Sequence, residues 1–101
     1  MEVPISTYMT LINFTEQGVR KIQDTVSRFS DGEKLLQSMG GRVIGCWWVM
    51  GQYDEVIIFE APDDETTARF IAPVVKLGNV RTTTMRCFNQ EEAARVFGGL
   101  R

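Results

Sequence analysis

Two apolar runs, Arg42–Met50 and Glu55–Ala61, flank a short polar interruption at Gly51-Gln52-Tyr53-Asp54. The centre of the second run, Val56-Ile57-Ile58-Phe59, is apolar without alternation, which is the pattern of a strand covered on both faces. Trp47 and Trp48 stand side by side in the first run, so alternation sends one ring to each face. The glycine-bearing interruption predicts a tight turn, and the two runs a hairpin. Upstream, Thr7–Phe14 is rich in β-favouring residues and predicts a first strand. Thr15 follows as a helix N-cap, with Glu16 in the first turn where an acid complements the helix dipole. Val19, Ile22, Val26 and Phe29 recur at three- and four-residue intervals, and Leu35, Leu36 and Met39 resume the stripe. Ser30-Asp31-Gly32-Glu33 has the form of a capping box between them. The spacing therefore predicts one long helix irregular near Gly32, or two helices end to end, stopped by Gly40-Gly41.

Pro62-Asp63-Asp64-Glu65 opens a second main helix, with Asp63 as its cap and acids in its first turn. Ala68, Phe70, Ile71, Val74 and Val75 form its expected buried side. Pro73 should kink that helix or end it early, and Gly78 should close it. Val80–Phe88 reads as a fourth strand with Thr82-Thr83-Thr84 at its centre. Asn89-Gln90-Glu91-Glu92 is a second capping box, starting a short terminal helix that Gly98-Gly99 ends. The order is β-α-β-β-α-β plus a terminal helix. Right-handed crossovers and a central hairpin arrange it as an α+β, ferredoxin-like split βαβ sheet with both main helices on one face. The other face then carries half of each strand: Ile57 and Phe59 or Val56 and Ile58, together with one of the two tryptophans. A monomer would expose a wide apolar patch, and a two-fold homodimer packing through the open sheet face would remove it.

With 101 residues, the expected organisation is a single domain spanning 1–101. The composition, 44% hydrophobic and 24% charged, is that of a globular protein. Net charge is −2 and the basic residues are scattered, which argues against a phosphate-tracking surface, so no nucleic acid is expected as a partner. No apolar run reaches membrane-spanning length, so no membrane partner is expected. The Met1-Glu2 start lacks a basic segment followed by an apolar one; no secretory signal is expected, and the cytoplasm is the expected location. Cys46 and Cys87 fall inside predicted strands without C-x-x-C spacing and read as buried thiols. There is no histidine, which removes the commonest general base and metal ligand. No cofactor and no metal are expected.

Four segments, Phe14-Thr15-Glu16-Gln17-Gly18, Met50-Gly51-Gln52-Tyr53-Asp54, Glu60-Ala61-Pro62-Asp63-Asp64 and Leu77-Gly78-Asn79-Val80-Arg81-Thr82, together resemble the GYD-domain family in order and spacing. The family's Gly, Tyr and Asp match Gly51, Tyr53 and Asp54. The resemblance implies a small bacterial or archaeal protein of the dimeric α/β-barrel type, and no particular reaction. Two departures are Pro73, in a helix the family fills with alanine and leucine, and Glu55, where valine is usual.

Seven side chains are candidates to hold a ligand: Asn13, Trp48, Tyr53, Asp54, Thr82, Thr84 and Arg86. Tyr53 and Asp54 could exchange protons with a bound carbonyl or phenol, or could simply build the turn. Thr82, Thr84 and Arg86 share one face of the fourth strand, as the polar end of a pocket or as a solvated edge. Arg81, of opposite parity, is expected to pair with a helix acid. Asn13 could meet a ligand oxygen or hold the strand-to-helix turn, and Trp48 could line a pocket or a dimer contact. Asp63, Asp64 and Glu65 read as helix-start electrostatics rather than a metal cluster. The expected function is a homodimeric module binding a small apolar or amphipathic molecule, without evident catalytic machinery. The alternatives are a cofactor-free monooxygenase or isomerase acting on an aromatic or polyketide-like substrate, and a subunit whose dimer surface is its whole function.

Overall fold

The computed structural model describes residues 5–100; the Met1-Glu2 start lies outside them. Four strands, β1 (Ser6–Phe14), β2 (Arg42–Trp48), β3 (Glu55–Ala61) and β4 (Val80–Cys87), form one sheet in the order β2-β3-β1-β4. Every neighbouring pair is antiparallel. With α1 (Glu16–Arg20), α2 (Thr25–Ser38), α3 (Asp64–Lys76) and α4 (Gln90–Phe97), this is the expected α+β, ferredoxin-like order with a terminal helix.

The first helical segment does break, but not at Gly32. α1 ends at Lys21, a 3-10 turn spans Ile22–Asp24, and α2 runs unbroken through Gly32. The Ser30–Glu33 box is therefore helix interior. Arg28 stabilises the break from one turn downstream, its guanidinium donating to the Lys21 and Gly18 carbonyls at 3.2 and 3.3 Å. The Gly18 carbonyl lies in the last turn of α1, where a helix leaves carbonyls short of partners, and the Lys21 carbonyl also accepts from the Asp24 amide at 2.9 Å. The break also rephases the apolar stripe. Val19, Ile22 and Val26, expected inside, are exposed, while Leu36 is fully buried.

Asp63 caps α3 as expected, its Oδ1 accepting from the Thr66 amide at 2.8 Å. Pro73 does not end α3, which continues to Lys76. The inward side of α3 is Thr67 and Phe70, with Ile71 and Val74 beside them; Ala68 and Val75 are exposed. The core is Tyr8, Leu36, Phe59, Ala61 and Phe70. Tyr8 stacks on Phe59 at 5.5 Å between centroids, and Phe70 meets Phe59 edge-on at 5.5 Å.

Register settles which parity faces the helices. Tyr8, Thr10 and Ile12 of β1 point inward, opposite Phe59, Ile57 and Glu55 of β3 and Arg86, Thr84 and Thr82 of β4. The other face presents Met9, Leu11, Val56, Ile58, Met85 and Trp47, whose ring folds over Gly45. No helix among the described residues buries that face: Trp47 is 52% exposed and Met85 40%. α4 has a complete capping box at Asn89 but no buried residue, and Val96, Phe97 and Leu100 are all exposed. The radius of gyration is 15.0 Å and the longest dimension 50 Å. A compact chain of this length would have a radius near ~13 Å, so part of the chain extends from the body.

Candidate functional site

Helices α2 and α3 do not close down fully on the sheet. Between them lies a cavity of about 260 Å³. Its floor is Ile12 of β1, Val43 of β2 and Ile57 and Phe59 of β3; its walls include Phe29, Leu36, Phe70, Pro73 and Val74. Nearly all of this lining is apolar. The exception on the floor is Glu55, only 4% exposed yet lining the space. One of its oxygens, Oε2, accepts from the Cys46 thiol at 3.3 Å. The other makes no hydrogen bond among the described residues. Burial pushes the Glu55 carboxyl above its ordinary range, opposed by the Cys46 hydrogen bond and by the Arg28 charge. Burial, and then the neighbouring carboxylate, push the Cys46 thiol up to about 12, so it stays a protonated donor.

A second concavity, about 390 Å³, opens on the far side of the Tyr8–Phe59 stack. Thr82, Thr84 and Arg86 line it from β4, with Tyr8, Asp64 and Thr67 across from them. Most of its polar groups already have partners. The Tyr8 hydroxyl donates to Asp64 at 2.5 Å, and Thr84 donates to Thr10 at 3.0 Å. Burial, reinforced by Asp64, raises the Tyr8 phenol above its ordinary range. Arg86 lies 4.7 Å from the Phe88 ring centroid and 3.6 Å from Glu92, and donates to the Cys87 carbonyl.

A third cluster lies at the end of the sheet where β1 enters α1. The Asp54 carboxylate accepts from the Phe14 amide at 2.9 Å, while the Asp54 amide donates to the Ile12 carbonyl at 2.9 Å. Asn13 donates to the Gln52 carbonyl at 2.8 Å. Thr15 caps α1 by accepting from Gly18, and its hydroxyl donates to the Gly78 carbonyl at 2.6 Å. Gln17 donates to Leu77 and to Asn79, both at 2.9 Å. Three stretches far apart in the chain are thus sewn together by side-chain-to-backbone bonds. They are the stretches around Gly18, Asp54 and Asn79. The GYD domain family profile matches residues 8–97, a span that contains all three. The chain belongs to the GYD domain family.

A family relative from Thermus thermophilus, named "Glutamine synthetase and cystathionine beta-lyase binding protein", is 30% identical over 80 residues, 78% of this chain and 84% of that protein. Among solved structures, MtbAldR superposes with a TM-score of 0.65 at 15% identity, over 84% of this chain but only 52% of its own length. An uncharacterised NIPSNAP-like domain protein from Burkholderia xenovorans superposes with a TM-score of 0.56 at 15% identity, over 88% of each chain. At such identities these likenesses concern the fold alone.

The seven expected ligand side chains are not brought together. Asn13, Tyr53 and Asp54 lie in the sewn end of the sheet, and Thr82, Thr84 and Arg86 in the polar concavity. Trp48 stands apart from both, its indole donating to Thr25 at 3.0 Å and its ring edge-on to Phe29 at 6.0 Å. None of the seven lines the apolar cavity. Arg81 forms no ion pair among the described residues, against expectation; it is exposed, opposite Asn13 on the open face. Asp64 bonds Tyr8 and Glu65 pairs with Arg69, so the α3 acids are individually engaged. The residue that sequence reasoning missed is Glu55. The available signal was its parity: it shares a face with Ile57 and Phe59 in a strand read as buried on both sides.

Proposed function

We propose that this GYD-family chain is a homodimeric binding module whose cavity, between the sheet and helices α2 and α3, holds a small, largely apolar molecule. The observation that carries the reading is the cavity itself: an apolar space whose floor bears one buried carboxylate with an oxygen unused by the protein. Cavities with few, fixed polar groups are the ordinary form of small-ligand sites. Trp48 would back the cavity through Phe29, and Thr82, Thr84 and Arg86 would meet any polar arm reaching past the aromatic stack. Asn13, Tyr53 and Asp54 would act on a ligand by holding the end of the sheet. Binding is preferred to the alternative, a cofactor-free monooxygenase or isomerase, because Tyr53, Asp54 and Arg86 lie outside the cavity.

The dimer would form through the open sheet face, completing an α/β barrel from two copies of residues 1–101, each a single domain. Cys46 and Cys87 are both free thiols, on the edge strands β2 and β4 at opposite sides of the sheet, which suits a reducing cytoplasm. No helix among the described residues is long and apolar enough to cross a membrane. A second reading is a protein-docking subunit. It is favoured by the name of the Thermus relative and by the exposed apolar residues of α4. Native mass spectrometry of freshly purified protein separates the two. A dimer carrying a releasable small molecule supports the cavity reading. A dimer that is bare, and to which no small apolar probe binds, transfers the function to its surface, and a monomer removes the dimer.

A further inference from the structure

The cavity has a charge asymmetry that its apolar lining conceals. Besides Glu55, Asp31 and Glu33 of α2 line it, and Arg28 is the single cationic lining residue among the described ones. Arg28 makes no ion pair among the described residues and directs its guanidinium at the Lys21 and Gly18 carbonyls. Three acidic residues therefore border a space with one committed cation. The groups that act on Glu55 are the Cys46 thiol from β2 and the Arg28 charge from α2; Asp31 and Glu33 of α2 border the same cavity, and β1 and α3 contribute only uncharged side chains to it. An anionic ligand would add to this negative charge. A cation would relieve it and occupy the unused Glu55 oxygen. Phe29, Phe59 and Phe70 line the same space, and aromatic rings favour a nearby cation.

We propose that the cavity selects apolar ligands carrying a single protonated amine, with Glu55 as the buried counter-ion. This rests on the cavity being a ligand site, as argued above. Its volume, about 260 Å³, lies just under the usual range for ligand pockets of roughly 300–1,000 Å³. The fitting ligand is one ring system with an aminoalkyl arm, rather than a nucleotide or a fatty acyl chain. In the empty cavity, burial favours the neutral carboxyl. A bound ammonium would favour the ionised form of that carboxyl.

The test is calorimetric titration of the full chain with three probes of one shape: naphthylmethylamine, naphthylmethanol and naphthoate. The amine is expected to bind at least about ten-fold more tightly than the other two at pH 7, a difference readily resolved by calorimetry. Its advantage over the alcohol should grow as pH rises and Glu55 ionises. Glu55→Gln should abolish that advantage and its dependence on pH. If the alcohol or the acid binds as tightly as the amine, or if the wild-type preference does not rise with pH, the amine assignment is overturned and the cavity reading stands. If none of the three binds, both fall. The wild-type pH series decides even if the variant does not fold.

Discussion

At the scale of single residues, Gly18 and Gly32 make opposite demands. A Cβ at Gly18 would lie 2.0 Å from the Asn79 carbonyl oxygen, which is itself bonded to the Thr15 amide and cannot easily retreat. A Cβ at Gly32 meets nothing within 4 Å and sits inside α2. Gly18→Ala should therefore cost about 2–4 kcal/mol of stability, and Gly32→Ala should gain about 0.5–1 kcal/mol. Urea midpoints of the two variants check both, and equal shifts would refute the packing described. Glu55 makes a pH-dependent demand. Its folded-state carboxyl is held above the ordinary value of 4.5, so as pH rises past that value the folded chain holds its proton longer than the unfolded one. Stability from this residue is complete below that value and is lost as pH rises through the folded-state range. Glu55→Gln has no such loss, so its stability relative to wild type should improve from pH 4 to pH 8; urea unfolding at several pH values reads the slope. Much of this residue-level detail was legible in the sequence. Gly51, with φ of +121°, and Asp54, which holds the Phe14 amide, are what a tight turn asks for. Glu55 was not legible as a cavity residue, because strand pattern reports which face a side chain takes but not whether the opposite helix reaches it.

At the scale of elements, strand and cap chemistry carried over almost residue for residue, whereas the helix break did not. β3 spans Glu55–Ala61 as expected, and Thr15, Asp63 and Asn89 all cap with their side chains. These are local signals, complete within four residues. The break at Lys21 is a tertiary feature: α1 must keep Gly18 against Asn79, while α2 must bring Leu36 over Phe59 and Ala61. One continuous helix cannot satisfy both placements, and the periodicity from Val19 to Val26 gives no hint of the conflict. Pro73 failed to end α3 for a comparable reason, since tertiary packing of Phe70 and Val74 on either side holds the helix through it. Arg28 follows as the clasp of the break. Arg28→Ala should leave the Lys21 and Gly18 carbonyls unbonded by any side chain and speed amide hydrogen exchange across residues 18–25, with α3 unchanged. Uniform exchange in both helices would show that the break is held elsewhere.

At the scale of the whole molecule, the open sheet face and α4 pose one problem between them. Four strands spaced ~4.8 Å apart, with about seven paired residues of ~3.3 Å each, present a planar face on the order of 450 Å². A standard stable interface buries about 800 Å² of accessible surface per partner; side-chain relief makes the accessible area of such a face larger than its footprint, which narrows the shortfall left for other surface to fill. α4 follows β4 directly, contains no buried residue, and offers Val96 and Phe97 with Phe88 before it and Leu100 after it. In the proposed two-fold dimer, each α4 would lie against the partner and supply the missing area. The two surfaces should then contribute differently. Ile58→Lys sets a charge at the centre of the open face, where the two-fold brings like charges together, and should give a monomer at all practical concentrations. Phe97→Ser removes one anchor from a peripheral helix and should weaken association by about ten-fold to a hundred-fold without abolishing it. Sedimentation of the wild type and both variants over a wide concentration range tests the geometry. If Ile58→Lys stays dimeric, the sheet face is not the interface; if Phe97→Ser sediments like wild type, α4 does not clasp the partner and its apolar residues are left for a different protein.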